Sequence, residues 1–124
     1  MQRRSKYKAV PTVVDGIRFA SKREAARYME LVLLQRSGQV KGLRLQPRMK
    51  IAADGRPVLL RSKGYPNGRA LTYVADFAYI ARAPSGEWEI NETLEDVKGM
   101  DTTVSRIKRA LIESIYQTTI LITR

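Results

Sequence analysis

Hydrophobic and polar residues alternate with two different periods along the chain, and each change of period marks a new element. Short apolar pairs flank the turn pair Asp15-Gly16, which predicts a β-hairpin over residues 10–19. From about Lys22 to Arg36 the apolar residues recur at helical spacing, which predicts a helix that ends at Ser37-Gly38. The predicted apolar stripe of this helix consists of Ala25, Tyr28, Met29, Val32 and Leu33.

Residues 43–52 alternate strictly between apolar and polar, which predicts one half-exposed strand with a basic outer face. Pro47 lacks an N–H donor and therefore places this strand at a sheet edge. Asp54-Gly55 predicts a turn, and residues 63–68 predict a mobile basic loop. The apolar face of the strand has Leu45, Pro47, Met49 and Ile51, and the polar face has Arg44, Gln46, Arg48 and Lys50.

The second half of the chain predicts three strands and a helix. Residues 71–81 are almost wholly apolar, which predicts a central strand with Asp76 in its middle. Residues 83–86 predict a turn into a strand from 88 to about 98, which Gly99 ends. A helix from about 103 to 116 and a last apolar strand at 118–123 follow. The residues of this helix expected to point inward are Val104, Ile107, Leu111 and Ile115.

The element order predicts one α/β (α+β) domain over residues 9–124, preceded by a flexible basic arm over residues 1–8. Its longest apolar runs fall far short of the roughly 20 residues of a membrane span. No charged-then-apolar leader opens the chain, so we expect a cytoplasmic protein.

Two missing residue types limit the possible chemistry. The 124 residues include neither Cys nor His, which excludes zinc fingers and Cys- or His-based catalysis. Any metal must then be bound by oxygen ligands, which favours Mg²⁺, Mn²⁺ or Ca²⁺. The chain also lacks a glycine-rich phosphate loop, so we expect no nucleotide cofactor.

The charge is large and unevenly distributed. The formal net charge is +11, and six of the twelve acidic residues fall between Glu87 and Asp101. Basic surface around an acidic pocket is typical of a metal-dependent enzyme that acts on nucleic acid, although excess Lys and Arg can also form a merely solvated face. The candidate phosphate contacts are Arg44, Arg48, Lys50, Lys63, Arg69, Arg106, Lys108 and Arg109.

Three residues carry the candidate chemistry. In a strand, Asp96 and Lys98 point to one face while Val97 points to the other. Asp76 and Asp96 could bind a divalent cation, and Lys98 could position a water or offset developing negative charge. A structural role for Asp76, bonding to backbone groups or to a lysine, stays open. Glu95 points to the opposite face and becomes the ligand only if a bulge exchanges it with Asp96.

Glu24 and Gln46 each allow two interpretations. Ser21 and Glu24 form a capping box for the first helix, but Glu24 lies beside the apolar stripe and could contribute a third carboxylate. Gln46 shares a strand face with basic residues and could bond a phosphate or a metal-bound water, or be only solvated.

Taken together, these residues resemble the motif set of the PD-(D/E)XK nuclease superfamily, and more closely a small family of phage and prophage nucleases within it. The same ordered pattern is similar to that of Holliday-junction resolvases and of the endonuclease subunit of heteromeric transposases. The resemblance covers residues 5–116. The segments that carry it are Ser21-x-x-Glu24, Gln46-Pro47, Tyr73-x-x-Asp76-Phe77 and Glu95-Asp96-Val97-Lys98-Gly99.

The resemblance implies a restriction-endonuclease-like αβββαβ core with a mixed sheet, and Mg²⁺-dependent hydrolysis of phosphodiester bonds, with Mn²⁺ as a possible substitute. It makes Glu24, Asp76 and Asp96 the metal-binding acids, Lys98 the lysine of the acid-x-lysine pair, and Gln46 an accessory residue. We therefore expect a homodimeric DNA endonuclease, selective for branched or junction DNA, in phage recombination or replication. A catalytically inactive nucleic-acid-binding module of the same fold and a ribonuclease are the alternatives.

Overall fold

A computed structural model describes residues 9–124 as a mixed α+β fold. The predicted basic arm at residues 1–8 lies outside the described residues. The two helices are α1 (Lys22–Arg36) and α2 (Thr103–Tyr116). The strands are β1 (Thr12–Val14), β2 (Ile17–Phe19), β3 (Val40–Leu45), β4 (Arg48–Lys50), β5 (Ala52–Ala53), β6 (Arg56–Pro57), β7 (Leu59–Ser62), β8 (Tyr65–Ala70), β9 (Thr72–Val74), β10 (Phe77–Ala81), β11 (Thr93–Val97) and β12 (Ile120–Thr123).

A four-stranded mixed sheet in the order β12-β11-β10-β3 forms the centre of the molecule. β10 pairs antiparallel with both β3 and β11, whereas β12 returns through α2 to pair parallel with β11. The predicted mixed sheet with two helices is therefore confirmed. Within residues 9–124, neither helix combines the length and apolar content needed to cross a bilayer.

Both helices begin where the sequence predicts because a hydroxyl caps each of them. Ser21 accepts a hydrogen bond of 3.1 Å from the Glu24 N–H, and Thr102 accepts one of 3.1 Å from the Ser105 N–H. α2 ends at Gln117, whose left-handed φ of 52° stops the helical path.

The two faces of the sheet bury separate apolar clusters. Phe77 and Tyr79 face the side that α1 covers, together with Tyr28 and Leu31. The predicted stripe of α1 is wrong in part, because Met29 and Leu33 are exposed while Leu31 is fully buried. On the other side, the second cluster consists of Ile51, Tyr73, Ala75, Ala78, Leu94, Ile112 and Ile120.

The predicted inward face of α2 is wrong. Ile112 is the fully buried side chain of this helix, and it lies beside the expected stripe rather than on it. The helix is rotated so that half-buried Ser105 and Arg109 lie on the same side as Ile112. The residues expected to point inward are exposed instead: Val104, Ile107, Leu111 and Ile115.

The predicted strand over residues 43–52 is broken in the middle. Gln46 has a positive φ of 49°, which no continuous strand accommodates, and Pro47 follows it without an N–H donor. β3 therefore ends at the edge of the main sheet, and β4 continues after the break, paired with β9 in the register that Leu45 has with Phe77. Pro47 is buried at this corner rather than on an exposed strand edge.

The predicted strand over residues 71–81 is also broken, at Ala75-Asp76. β10 is central and buried as expected, but Asp76 stands at the break before it and not in mid-strand. The Asp76 carbonyl accepts from the Gln46 N–H at 2.9 Å, so the two strand breaks face each other.

Two further segments differ from the prediction. Of the mobile loop expected over residues 63–68, residues 65–68 belong to β8 (Tyr65–Ala70), which pairs with β7 as a hairpin. Of the strand expected at 88–98, only β11 is regular, because residues 89–92 bend away after the Arg82–Trp88 bridge. The turn at Asp54-Gly55 joins β5 and β6 as predicted.

Candidate functional site

Asp76 and Asp96 lie side by side where β10 begins and β11 ends. The Asp76 N–H donates to Asp96 Oδ1 at 3.1 Å, and the Val97 N–H donates to Asp76 Oδ2 at 2.7 Å. The same N–H also donates to the Glu95 carbonyl at 3.1 Å, so the chain before β10 stays paired with β11 while it holds the Asp96 carboxylate. Each carboxylate is thus oriented by backbone of the other strand.

Lys98 completes this cluster, which we name the acidic site (Asp76, Asp96 and Lys98). Its Nζ lies 3.6 Å from Asp96 Oδ2, so both side chains point to the same face of the sheet. Asp96 is 1 % exposed, and among the described residues its Oδ2 has no hydrogen-bond partner. A buried carboxylate oxygen without a donor is costly and favours a bound cation at that position.

Burial dominates the electrostatics of both aspartates. It raises the pKa of Asp76 above its ordinary value, against the hydrogen bond from Val97 and the charge of Lys98. It likewise raises the pKa of Asp96, against the charge of Lys98 and the N–H of Asp76. The hydrogen bonds and the charge of Lys98 therefore do not fully offset the cost of burying the two ionised aspartates, and additional positive charge would stabilise them.

Glu24 reaches the same region from the first turn of α1. It is 7 % exposed, and burial together with the negative charge of Asp76 raises its pKa to about 7. Asp96 raises this pKa further, whereas hydrogen bonding to the Ala20 backbone and the charge of Lys98 lower it. Its N–H is held by the Ser21 hydroxyl, but its carboxylate belongs electrostatically to the acidic site.

The residues present fit a divalent cation with two protein carboxylates. Mg²⁺ usually keeps several waters and is bound through one or two carboxylates plus substrate phosphates. Within residues 9–124, no three acidic side chains are arranged closely enough to form a finished metal-binding group. Asp76 and Asp96 could hold the ion, and Glu24 lies nearby without completing the set.

Glu95 points to the opposite face of β11, where its carboxylate accepts hydrogen bonds from Arg27 and Tyr79. Arg27 binds it with two hydrogen bonds of 2.7 and 2.9 Å, and the Tyr79 hydroxyl donates at 2.6 Å. Burial raises the pKa of Glu95, but these donors outweigh burial and bring it below its ordinary value. This register leaves Asp96, not Glu95, facing the acidic site.

Gln46 is placed near the acidic site by its backbone. Its N–H donates to the Asp76 carbonyl, while its side chain is exposed. The strand face that it was expected to share with Arg44 and Arg48 does not exist, because β3 ends before Gln46. The structure therefore brings Gln46 to the site without showing what its amide contacts.

The predicted phosphate contacts fall into three groups. Lys108 lines a cleft of about 340 Å³ together with Lys98, next to the acidic site. Other side chains already have protein partners: Arg44 pairs with Glu92, Arg48 with Thr72, Arg106 with Thr103, and Arg109 with Asp101. Lys63 and Arg69 lie in the exposed hairpin of β7 and β8, and Lys50 is exposed on β4.

Sequence reasoning missed the residues that support the acidic site from outside. Arg27 and Tyr79 were not singled out, although a buried Glu95 on the apolar face requires a cation and donors. Asp101 binds Arg109 at 2.7 and 2.9 Å, which ties the segment after Lys98 to α2. No pattern in the sequence indicates this second pair.

Comparison with known proteins places the chain in a family without an assigned function. No curated protein and no solved structure matches it. A family model described as "Protein of unknown function (DUF1064)" matches residues 4–123, nearly the whole chain. The chain therefore belongs to the DUF1064 family.

Proposed function

We propose that this protein is a Mg²⁺-dependent DNA endonuclease that hydrolyses phosphodiester bonds. The observation that carries the proposal is the buried Oδ2 of Asp96, which accepts no hydrogen bond from the described residues. It lies at ion-pair distance, 3.6 Å, from Lys98, and the other oxygen of the same carboxylate accepts from the Asp76 N–H. A carboxylate pair that burial leaves short of positive charge, beside a lysine, suits a metal-assisted attack on a phosphodiester.

The order of elements supports the PD-(D/E)XK interpretation. α1, β3, β10, β11, α2 and β12 follow one another as helix, three antiparallel strands, helix and parallel strand. This order supports the αβββαβ core that the resemblance implies, with β4 to β9 as an insertion between its first two strands. The proposed acids Asp76 and Asp96 lie just before β10 and near the end of β11.

The residues would divide the reaction between them. Asp76 and Asp96 would hold Mg²⁺, which when bound polarises a phosphoryl oxygen and lowers the pKa of a bound water. Lys98 would orient the attacking water or offset the charge that develops on the phosphorus centre. Glu24, with its pKa raised to about 7, can accept a proton near neutral pH. Mn²⁺, which takes similar oxygen ligands, would substitute for Mg²⁺.

Branched or junction DNA is the proposed substrate, and a homodimer the proposed form. The net charge of +11 supports a polyanionic partner. A homodimer would present two acidic sites to two strands, and the exposed residues of α2 give a second copy an apolar surface to cover. Light scattering on the purified protein tests this state: a monomeric mass at micromolar concentration would contradict it.

Metal binding tests the proposal without a DNA substrate. We expect Mg²⁺ to raise the melting temperature of the wild-type protein, because the ion binds the folded acidic site. Asp96→Asn should abolish the shift. Asp54→Asn is the matched control, because Asp54 is an exposed turn residue with a φ of 50°, which Asn tolerates. If Mg²⁺ raised the melting temperature of Asp96→Asn as much as that of the wild type, the ion would not bind at the acidic site.

One observation favours a second candidate, a nucleic-acid-binding module of the same fold without catalysis. The three acidic side chains are not assembled into a finished metal-binding group among residues 9–124. Such a module would bind DNA with strong salt dependence and no response to Mg²⁺. The same melting experiment separates the two, since a module without a metal site shows no shift in the wild type.

A further inference from the structure

β7, β8 and the turn that joins them form a two-stranded ribbon over residues 59–70, which we name the basic ribbon. All its residues are exposed except Gly68, which is half-buried. Its strands pair with each other and with no other strand of residues 9–124. At its base the Leu71 N–H donates to the Val58 carbonyl at 2.8 Å, and the Ile51 N–H to the Leu71 carbonyl at 3.0 Å.

The ribbon is built to be tightly paired rather than loose. Gly68 has a φ of 90°, and a Cβ added there would lie 2.8 Å from Leu59 Cβ, so only glycine allows this approach. The register shifts between Leu60 and Ser62, which is a bulge that increases local twist. On β8 the Arg69 guanidinium lies 5.2 Å from the ring of Tyr65, and both point to one face.

An isolated two-stranded hairpin is only marginally stable in water and is stabilised by packing against another surface. Leu59, Leu60 and Tyr65 are between 49 % and 55 % exposed, so the ribbon presents apolar surface to solvent. Its charge indicates the partner, because residues 55–75 hold Arg56, Arg61, Lys63, Arg69 and no acidic residue. A cationic ribbon with an aromatic side chain fits the sugar-phosphate backbone of nucleic acid.

A cleft beside the acidic site is lined by β9, the strand that follows the ribbon. Thr72, Tyr73 and Val74 of β9 line this cleft opposite Lys98 and Lys108. β9 follows directly after β8, and its last residue lies two positions before Asp76. Arg48 donates to Thr72 at 3.1 Å and adds a cation between the cleft and the ribbon. Positive charge thus continues from the acidic site to the ribbon.

We propose that the basic ribbon is a substrate arm that binds the DNA duplex flanking the bond to be cut. This inference rests on the proposed nuclease function for its substrate, but not on catalysis for its test. The six residues of β8 span roughly 20 Å, at about 3.3 Å per residue. That length matches about six phosphates of one strand. Duplex that extends past the cut on one side therefore binds more tightly than duplex that ends at it.

The test measures binding in EDTA, where no cleavage occurs. The variant Arg61→Gln/Lys63→Gln removes two ribbon charges, and Arg18→Gln/Arg36→Gln removes two exposed charges on β2 and α1 as a matched control. Fluorescence anisotropy with a 40-base-pair duplex over a salt series gives the affinity and its salt slope. We expect the ribbon variant to lower that slope by about 1.8 units, roughly 0.9 per phosphate contact. The control should leave the slope unchanged.

The outcomes distinguish the arm from the nuclease. An unchanged slope in the ribbon variant, an equal loss in the control, or no DNA binding by the wild type would each overturn the arm. A preference for duplex RNA over DNA with the same loss would overturn DNA as its partner. DNA binding through the ribbon in a protein that never cuts would support the arm while removing the nuclease. Tyr65→Ala, which keeps all charges, should weaken binding without changing the slope.

Discussion

At the scale of single residues, the buried carboxylates of the acidic site lower the stability of the metal-free protein, although they are the proposed ligands of the metal. Because burial raises the pKa of Asp96, its ionised form destabilises the folded protein at neutral pH. We therefore expect Asp96→Asn to raise the melting temperature in EDTA. The contrasting variant is Asp101→Asn, which should lower it, because the hydrogen bond from Arg109 holds the pKa of Asp101 below its ordinary value. Equal signs for the two variants would contradict this electrostatic assignment.

Glu24 gives a pH dependence whose sign follows from its pKa. The folded-state pKa of about 7 exceeds the ordinary 4.5, so the folded protein binds the proton more tightly than the unfolded chain. The stabilising contribution is complete below pH 4.5 and is lost as the pH rises through about 7. Glu24→Gln should flatten this decline, by up to about 3 kcal/mol in the free energy of unfolding. Urea titrations between pH 4.5 and 8 measure it.

The exposed Glu87 supplies the control for this experiment. Glu87→Gln should keep the wild-type pH profile in EDTA. If Glu24→Gln kept that profile as well, Glu24 would have an ordinary pKa in solution and would not belong to the acidic site.

Sequence reasoning performed well for residues governed by alternation along one strand. The opposite directions of Glu95 and Asp96, and the shared direction of Asp96 and Lys98, follow from the period of two. The pairing of Glu95 with Arg27 joins residues 68 positions apart. No local period specifies such a contact.

At the scale of elements, α2 shows that an amphipathic pattern does not by itself specify which residues of a helix are buried. Its apolar residues cover a wide arc, and only packing decides that Ile112 points inward. We expect Ile112→Ala to cost about 2–5 kcal/mol of unfolding free energy, as for other fully buried aliphatic side chains. Ile107→Ala, at a position 56 % exposed, should cost less than about 0.5 kcal/mol in the monomer. Similar losses of unfolding free energy for the two variants in denaturant titrations would mean that Ile107 is buried as the sequence predicts.

The Arg27–Glu95 pair fixes α1 against β11 behind the acidic site. Arg27→Met would leave the fully buried Glu95 carboxylate without the charge and the two hydrogen bonds of the guanidinium, while the Tyr79 hydroxyl still donates to it. We expect a loss of about 3 kcal/mol in unfolding free energy, the lower end for a broken buried pair, since Arg27 is itself partly exposed. The double variant Arg27→Met/Glu95→Leu should recover most of it. No recovery would mean that Arg27 acts by packing alone.

Strand breaks were the feature of the fold that the sequence concealed. Residues 43–52 and 71–81 each have an uninterrupted strand pattern. Both segments are nevertheless interrupted at the same level, at Gln46 and at Asp76, where the Gln46 N–H donates to the Asp76 carbonyl. The two segments stay paired with each other in one register across the break, with Leu45 opposite Phe77 and Arg48 opposite Val74. The interruption coincides with the positive φ of Gln46, which the alternation of apolar and polar residues does not specify.

At the scale of the whole molecule, composition narrows the possible chemistry without specifying it. The lack of Cys and His excludes thiolate and imidazole ligands, and the net charge of +11 favours a polyanionic partner. The basic ribbon escaped prediction because glycine and proline at residues 64–68 are typical of a loop. Here they occur in a paired strand.

The measurement that tests the central claim most directly is cleavage of labelled four-way junction, flap and linear duplex DNA, with Mg²⁺ and with EDTA. We predict cuts that require Mg²⁺, that occur preferentially on the branched substrates, and that disappear in both Asp76→Asn and Asp96→Asn while Asp54→Asn cuts normally. Cleavage that persists in EDTA or in the Asp96→Asn protein would contradict a nuclease built on the acidic site, and so would binding of all three DNAs without any cut.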